Sequence, residues 1–150
     1  MTTRDDALQA IAEYERRFRR DDLKKLEISG LYALFPSTAE VAVGVAGNWP
    51  DRWPYAERAG VYLIFDEKLQ VLYVGKASFK SSLGGRLYNY FREDKDGNCR
   101  IRHEGWSRPP RYVLTVAVSE DMRFEASALE ECLITTLKPT DNTVGIGPCD

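Results

Sequence analysis

Apolar residues recur at helical spacing near the amino terminus of the chain. They follow one another at intervals of four, three and four residues, so they share one face of a helix: Ala7, Ile11, Tyr14 and Phe18. Thr3 is a candidate N-cap for this helix. The pattern predicts a helix over residues 3–26. Gly30 and Pro36 break the next stretch, and residues 37–58 are predicted to form a connection that contains glycine, proline and tryptophan.

From residue 60 onwards the pattern becomes that of strands. Val61–Phe65 and Val71–Val74 are rich in β-branched and aromatic residues and are separated by a short charged turn, which predicts a hairpin. If its loop is even-numbered, Tyr62 lies directly opposite Tyr73 on the same face of the sheet. An odd-numbered loop would send the two tyrosines to opposite faces unless a bulge corrects the register. Tyr112–Val118 is predicted as a third strand.

Two further helices are predicted in the second half of the chain. Leu83–Phe91 suits a short helix that presents Arg86 and Tyr90, at positions i and i+4, on one face. Residues 92–110 are predicted to form a polar loop. Glu125–Leu137 has the clearest helical pattern, which ends before a proline. We therefore expect an α+β fold with a small three-stranded, mainly antiparallel sheet, flanking helices and an N-terminal helical extension.

The last predicted helix places one acidic residue among apolar ones. At about 100° per residue, Glu130 falls inside the apolar arc, whereas Glu125 and Glu131 fall outside it. A buried carboxylate requires a cation, an arginine or a proton, because burying it unpaired costs several kcal/mol. A structural ion pair with Arg86 and a bound hard divalent cation are the two interpretations.

The charges are distributed unevenly along the chain. The formal net charge is −2, yet residues 76–111 contain nine Lys or Arg and four Asp or Glu, a balance of +5. This basic segment directly follows the predicted hairpin, at the position where a phosphate backbone would lie. An unevenly charged, solvated surface is the alternative interpretation.

Composition and motifs exclude several classes of protein. No apolar run approaches the roughly 20 residues that a membrane-spanning helix needs, and no apolar signal segment is seen at the start, so we expect a cytoplasmic protein without membrane contact. The three cysteines show no CxxC spacing, so no zinc signature is present. Neither a P-loop nor a dinucleotide fingerprint occurs, so no nucleotide cofactor is expected. The sequence leaves the oligomeric state open.

Six positions occur in an order that resembles the GIY-YIG nuclease superfamily: Gly60-Val61-Tyr62, Tyr73-Val74-Gly75, Arg86, Tyr90, Glu130 and Asn142. Valine stands in place of isoleucine in both tripeptides. The run Tyr73–Ala77 is similar to the N-terminal incision domain of bacterial nucleotide-excision-repair nucleases. The resemblance extends over about residues 59–145, so we expect a nuclease domain over residues 59–150 and an extension and connection over residues 1–58.

The resemblance implies metal-dependent hydrolysis of DNA, with Glu130 as the protein ligand of Mg²⁺ or Mn²⁺ and Arg86 on the scissile phosphate. A tyrosine orients or deprotonates the attacking water. Tyr62 and Tyr73 are the leading candidates, and Tyr90 is the alternative base or proton shuttle. A phenolate at neutral pH requires a lowered pKa, to which Lys76, Arg86 and the metal would contribute.

The remaining predicted site residues bind substrate or support the site. Gly75, Lys76, Lys80 and Arg92 are predicted to lie against the DNA, and Gly60 and Asn142 to hold the site in place. Asn142 is expected to bond backbone groups beyond Pro139 and fix the end of the Glu130 helix. The alternative function is a catalytically silent module on the same fold that binds nucleic acid or a protein.

Overall fold

The computed structural model describes residues 1–36, 44–102 and 104–142, and it has the expected α+β architecture with a mostly antiparallel sheet. The helices are α1 (Arg4–Phe18), α2 (Leu83–Tyr88) and α3 (Glu125–Leu137). The strands are β1 (Glu27–Ile28), β2 (Leu31–Ala33), β3 (Val45–Asn48), β4 (Gly60–Phe65), β5 (Val71–Ala77), β6 (Phe91–Glu93), β7 (Cys99–Ile101) and β8 (Tyr112–Ala117).

The main sheet has more strands than the sequence predicts. Its order is β3-β2-β8-β4-β5, with β1 also paired to β8, and every pairing except that of β2 with β3 is antiparallel. The three predicted strands correspond to β4, β5 and β8, but the expected count of three is wrong. The segment predicted as a helix and a connection supplies β1, β2 and β3, which are too short to show the alternating pattern of a strand.

Helix α1 begins as predicted and ends early. Thr3 and Asp6 form a capping box, and Ala7, Ile11 and Tyr14 are buried. The helix stops at Phe18 instead of residue 26, and the Phe18 side chain is 62% exposed rather than part of the buried face.

A buried ion pair explains this early end. Arg19 is extended, and its Nε and Nη2 atoms donate to the Glu125 carboxylate at 2.7 and 3.1 Å. The Tyr14 hydroxyl donates to the same carboxylate at 3.0 Å. The prediction that Glu125 lies outside the buried face is therefore wrong, because α1 covers that side of α3 and brings its own cation.

The β4–β5 hairpin carries a bulge that sets the register of the tyrosines. Tyr62 pairs with Gly75 and Tyr73 pairs with Ile64, so the direct opposition expected for an even-numbered loop does not occur. The alternative, an odd-numbered loop whose register a bulge corrects, is confirmed. The register shifts between Ile64 and Phe65, which leaves Leu72 as the extra residue on β5. Beyond the bulge the two tyrosines share a face as diagonal neighbours, with ring centroids 6.2 Å apart.

Two layers of helices and loops cover the sheet. Helices α1 and α3 pack on one face, and α2 packs on the other together with the β6–β7 hairpin, which occupies part of the predicted polar loop. Helix α2 ends at Tyr88 instead of Phe91, so Tyr90 lies just beyond it. Trp49 and Trp53 pack over the core on the α2 side. Within the described residues, no helix is long and apolar enough to cross a membrane.

Candidate active site at the edge of strand β5

The predicted site residues come from both faces of the sheet. Tyr73 points to the α2 face of β5, whereas Lys76, three residues later, points to the α3 face, because side chains alternate along a strand. The Lys76 Nζ donates to the Ser127 Oγ on α3 at 3.0 Å, and Glu130 follows Ser127 by one helical turn. Because β5 is the edge strand, side chains from the two faces meet around its open side.

Part of this edge is closed by the segment that follows α3. The Asn142 side chain accepts a hydrogen bond from the Val74 N–H at 2.8 Å and donates to the Val74 carbonyl at 2.9 Å, and the Asp141 N–H donates to the Leu72 carbonyl at 2.8 Å. Asn142 thus binds the segment after α3 to β5, rather than bonding the helix end itself. Among the described residues, these contacts along the edge reach as far as Val74, two residues before Lys76.

Two glycines make room for close contacts in this hairpin. The Tyr62 ring lies across Gly75, and a Cβ atom added to Gly75 would come within 2.7 Å of the Tyr62 Cε2 and closer still to the end of the ring. Gly60 pairs with both neighbouring strands, and a Cβ there would come within 2.9 Å of the Val116 carbonyl carbon. Each position therefore excludes a side chain for a steric reason.

Three tyrosines form a contiguous cluster. Tyr62 is fully buried, and its hydroxyl donates to the Tyr90 hydroxyl at 3.3 Å. The ring centroids of Tyr73 and Tyr90 are 5.8 Å apart. Burial is the main cause that raises the pKa of both Tyr62 and Tyr73 above the ordinary value, and Tyr90 raises both further. The expected lowering of these pKa values is not found, because burial outweighs the neighbouring positive charge, and Tyr62 and Tyr73 are neutral at pH 7.

Arg86 lies over this cluster from α2, whose N-cap Ser82 accepts a hydrogen bond from the Gly85 N–H at 3.1 Å. Its positive charge acts on the hydroxyl groups of all three tyrosines, and most strongly on that of Tyr62. Burial lowers the pKa of Arg86, but the phenolic oxygens, with Tyr62 first, outweigh it and leave the pKa raised. Arg86 is therefore a permanent positive charge beside three phenols.

Glu130 completes the constellation from the α3 side. Burial raises the pKa of its carboxyl group, and Lys76 and then Arg86 act against that rise. Among the described residues Glu130 forms no salt bridge, so the structural pair with Arg86 is not made. The same residues contain no group of three or more His, Cys, Asp or Glu that could enclose a metal. A single hard carboxylate suits an ion such as Mg²⁺, which keeps most of its waters.

The other predicted substrate contacts lie around this centre. Lys80 is exposed in the loop between β5 and α2. Arg92 packs its guanidinium 4.0 Å from the Tyr88 ring centroid, and its Nε donates to the Tyr88 carbonyl at 3.2 Å. Arg92 is therefore held against Tyr88 and not in the cluster of Tyr62, Tyr73 and Tyr90.

Trp106 is a site residue that the sequence analysis missed. Its ring stands edge-on to Tyr73, with centroids 6.0 Å apart, and lies 5.9 Å from that of Tyr90. Residues 92–110 show no periodicity that would bring this side chain to the tyrosines. An aromatic residue inside the basic segment is the one signal that the sequence offers.

The comparisons with known proteins agree with this geometry. A family model described as the UvrC-like GIY-YIG domain matches residues 58–143. UvrABC system protein C of Gloeobacter violaceus is 39% identical over 87 residues, which cover 57% of this chain and 13% of that protein. UvrABC system protein C of Chlamydia abortus is 38% identical over 85 residues, with the same two shares. Most of the length of each relative therefore lies outside the match.

Proposed function

Because the chain belongs to the UvrC-like GIY-YIG domain family, we propose that it is an endonuclease that hydrolyses phosphodiester bonds in DNA with the help of one divalent cation. The observation that supports this function best is the convergence of three phenols, a guanidinium and a carboxylate at the edge of β5, where this carboxylate has no salt bridge among the described residues. A protein that only binds DNA has no need for a half-buried carboxylate without an ion-pair partner.

The charged side chains position the phosphate. Arg86 donates to non-bridging phosphate oxygens through its planar fork, which a lysine ammonium cannot reproduce. Lys76 is held by Ser127 next to Glu130, so it adds positive charge on the α3 side of the same phosphate. In the reaction, the oxygen of a water molecule adds to phosphorus, the bond to the 3′ oxygen breaks, and one proton of that water ends on the 3′ oxygen.

The phenols orient the water and carry its proton. Tyr73 is half-buried and so lies nearer to solvent than Tyr62, which is fully buried. Since their pKa values are raised, Tyr62 and Tyr73 act as neutral hydroxyls that accept one hydrogen bond and donate another. The hydrogen bond from Tyr62 to Tyr90 extends this chain of hydroxyls, along which a proton passes without any phenol becoming anionic.

Glu130 is the residue that would hold the cation. One carboxylate and a shell of waters satisfy the coordination that Mg²⁺ or Mn²⁺ prefers, and a bound divalent ion supplies stabilisation of the negative charge that develops on the phosphate. Lys76 and Arg86 favour the ionised form of Glu130 against the effect of burial. They thereby favour the form of the carboxylate that binds a cation.

Conversion of supercoiled plasmid to nicked or linear DNA tests this function. Wild type, Glu130→Ala and Glu131→Ala are compared in Mg²⁺, in Mn²⁺ and in EDTA. Glu131 is the matched control, because it is the next residue of α3 and is exposed. We expect metal-dependent cutting by wild type and Glu131→Ala, and none by Glu130→Ala. Binding without cutting by the wild type would instead favour the catalytically silent module.

A further inference from the structure

Two phenylalanine rings stand in solvent beside the candidate active site. Phe79, in the loop between β5 and α2, is 86% exposed, and Phe124, at the start of α3, is 71% exposed. They are the most exposed aromatic residues of the described chain. Exposing two such rings forgoes the free energy of their burial, so neither ring contributes to the core of this fold.

Phe79 is held in place by the surrounding loop. Its backbone adopts the left-handed conformation, with φ of 53°, which is unfavourable for a residue with a side chain. Ser81 closes the loop through hydrogen bonds to the backbone of Ser78 at 2.7 and 3.0 Å. Arg123 donates to the carbonyls of Phe79 and Ser81 at 2.9 and 2.7 Å. Arg123, the residue before Phe124, therefore holds this loop through hydrogen bonds. These bonds stabilise the strained backbone of Phe79 while its ring remains exposed.

Both rings lie a short distance from the proposed point of cleavage. Phe79 follows Lys76 by three residues. Phe124 lies six residues before Glu130, so it is displaced by about 9 Å along the axis of α3 and by about 120° around it. Stacked nucleotides advance by about 3.4 Å along one strand. A strand that runs from the scissile phosphate toward the start of α3 therefore covers this axial distance in about three nucleotides.

The charges next to Phe79 indicate nucleic acid rather than an apolar protein surface. Lys80 is adjacent to Phe79 and exposed, and Lys76 stands at the other end of the same short segment. Aromatic rings interspersed with lysines bind single-stranded nucleic acid, because the bases stack on the rings while the phosphates meet the positive charges. In an intact duplex the faces of the bases are covered by their neighbours and only their edges are accessible.

From these observations we propose that Phe79 and Phe124 stack on unpaired bases next to the scissile phosphodiester, so that the preferred substrate is DNA with a locally unpaired segment. This inference rests on the proposed nuclease function, and it specifies the class of DNA that the same site accepts.

Binding and cutting of two matched DNAs test the inference. One is a fully paired duplex, and the other has the same length with a central run of mismatches. Binding is measured in EDTA and cutting in Mg²⁺, for wild type, Phe79→Ala, Phe124→Ala and Phe18→Ala. Phe18 is the matched control, because it is also exposed but belongs to the end of α1. We expect the wild type and Phe18→Ala to prefer the mismatched DNA, and each site variant to lose about tenfold of that preference.

Phe79→Gly separates a binding role from a structural one. Glycine adopts the left-handed conformation without strain, so the thermal midpoint of this variant should equal or exceed that of wild type. Its preference for mismatched DNA should fall as far as that of Phe79→Ala, and Phe79→Trp should retain the preference.

Three results would overturn the inference. The first is equal binding and cutting of the two DNAs by the wild type. The second is an unchanged preference in the Phe79 and Phe124 variants. The third is self-association of the wild type that both variants abolish, measured by sedimentation, which would assign the rings to a protein interface. In each case the cutting of plasmid by the wild type reports separately on the nuclease function.

Discussion

Replacing Gly75 by alanine tests the packing on which the tyrosine cluster depends. Gly75 lies in the extended strand β5, where glycine by itself is less favourable than alanine by about 0.5–1 kcal/mol. Intrinsic conformational preference therefore predicts that Gly75→Ala stabilises the protein. The structure predicts the opposite, because the added methyl group would overlap the ring of Tyr62.

The size of the effect follows from how firmly Tyr62 is held. Its side chain is fully buried and its hydroxyl is bonded to Tyr90, so the ring cannot swing away without breaking contacts. Overpacking of a well-filled core costs about 1–3 kcal/mol, with occasional larger values. After the gain from replacing glycine, we expect Gly75→Ala to lower the free energy of unfolding by about 0.5–2 kcal/mol.

Urea denaturation of the wild type, Gly75→Ala and Gly47→Ala measures this difference. Gly47 is the matched control, because it also lies in a strand and a Cβ there would come no closer than 3.6 Å to its nearest neighbour, the Tyr32 Cδ2. Gly47→Ala should unfold at the same urea concentration as wild type or a higher one. A Gly75→Ala protein as stable as this control would refute the reasoning. Plasmid cutting by Gly75→Ala should also fall, since the displaced Tyr62 belongs to the site.

Three further changes test other parts of the structure. Burial raises the pKa of Glu130 in the folded state, so ionised Glu130 destabilises the fold at any pH above the pKa that this residue has in the unfolded chain. Glu130→Gln should therefore raise the urea midpoint at pH 7 and leave it unchanged at pH 4. The same variant should abolish cutting. Arg19→Met leaves the buried Glu125 carboxylate unpaired and should cost about 3–5 kcal/mol in urea denaturation, whereas a loss below 1 kcal/mol would contradict its role. Asn142→Ala leaves both backbone groups of Val74 without their partner and should cost about 2 kcal/mol, with faster amide exchange at Val74 as the local readout.

The elements with strong local signals could be predicted from the sequence. Helix α3 has the predicted boundaries, since thirteen residues of regular apolar spacing before a proline leave one interpretation. The cores of β4, β5 and β8 were found for a similar reason. Strands of two to four residues, such as β1 and β6, carry too few positions to reveal a period. They exist because a partner strand pairs with them, the longer β8 for β1 and the equally short β7 for β6.

The two glutamates of α3 show the limit of a single-helix argument. The apolar arc of α3 placed Glu130 on the buried side and Glu125 on the solvent side, yet Glu125 is the more deeply buried of the two. A helical pattern records where the apolar residues of that helix lie. It does not record that α1 covers a second face and supplies Arg19 to neutralise the acid found there.

The sequence by itself determined the family resemblance, the order of the tyrosines, Arg86 and Glu130 along the chain, and the helix that carries Glu130. Only the tertiary structure decided how these residues meet. A one-residue bulge in β5 returns Tyr73 to the face of Tyr62, and the position of β5 at the edge of the sheet lets Lys76 and Glu130 approach from the other face. Register and strand order depend on contacts between residues far apart in the chain, whereas the patterns in a sequence report on neighbours.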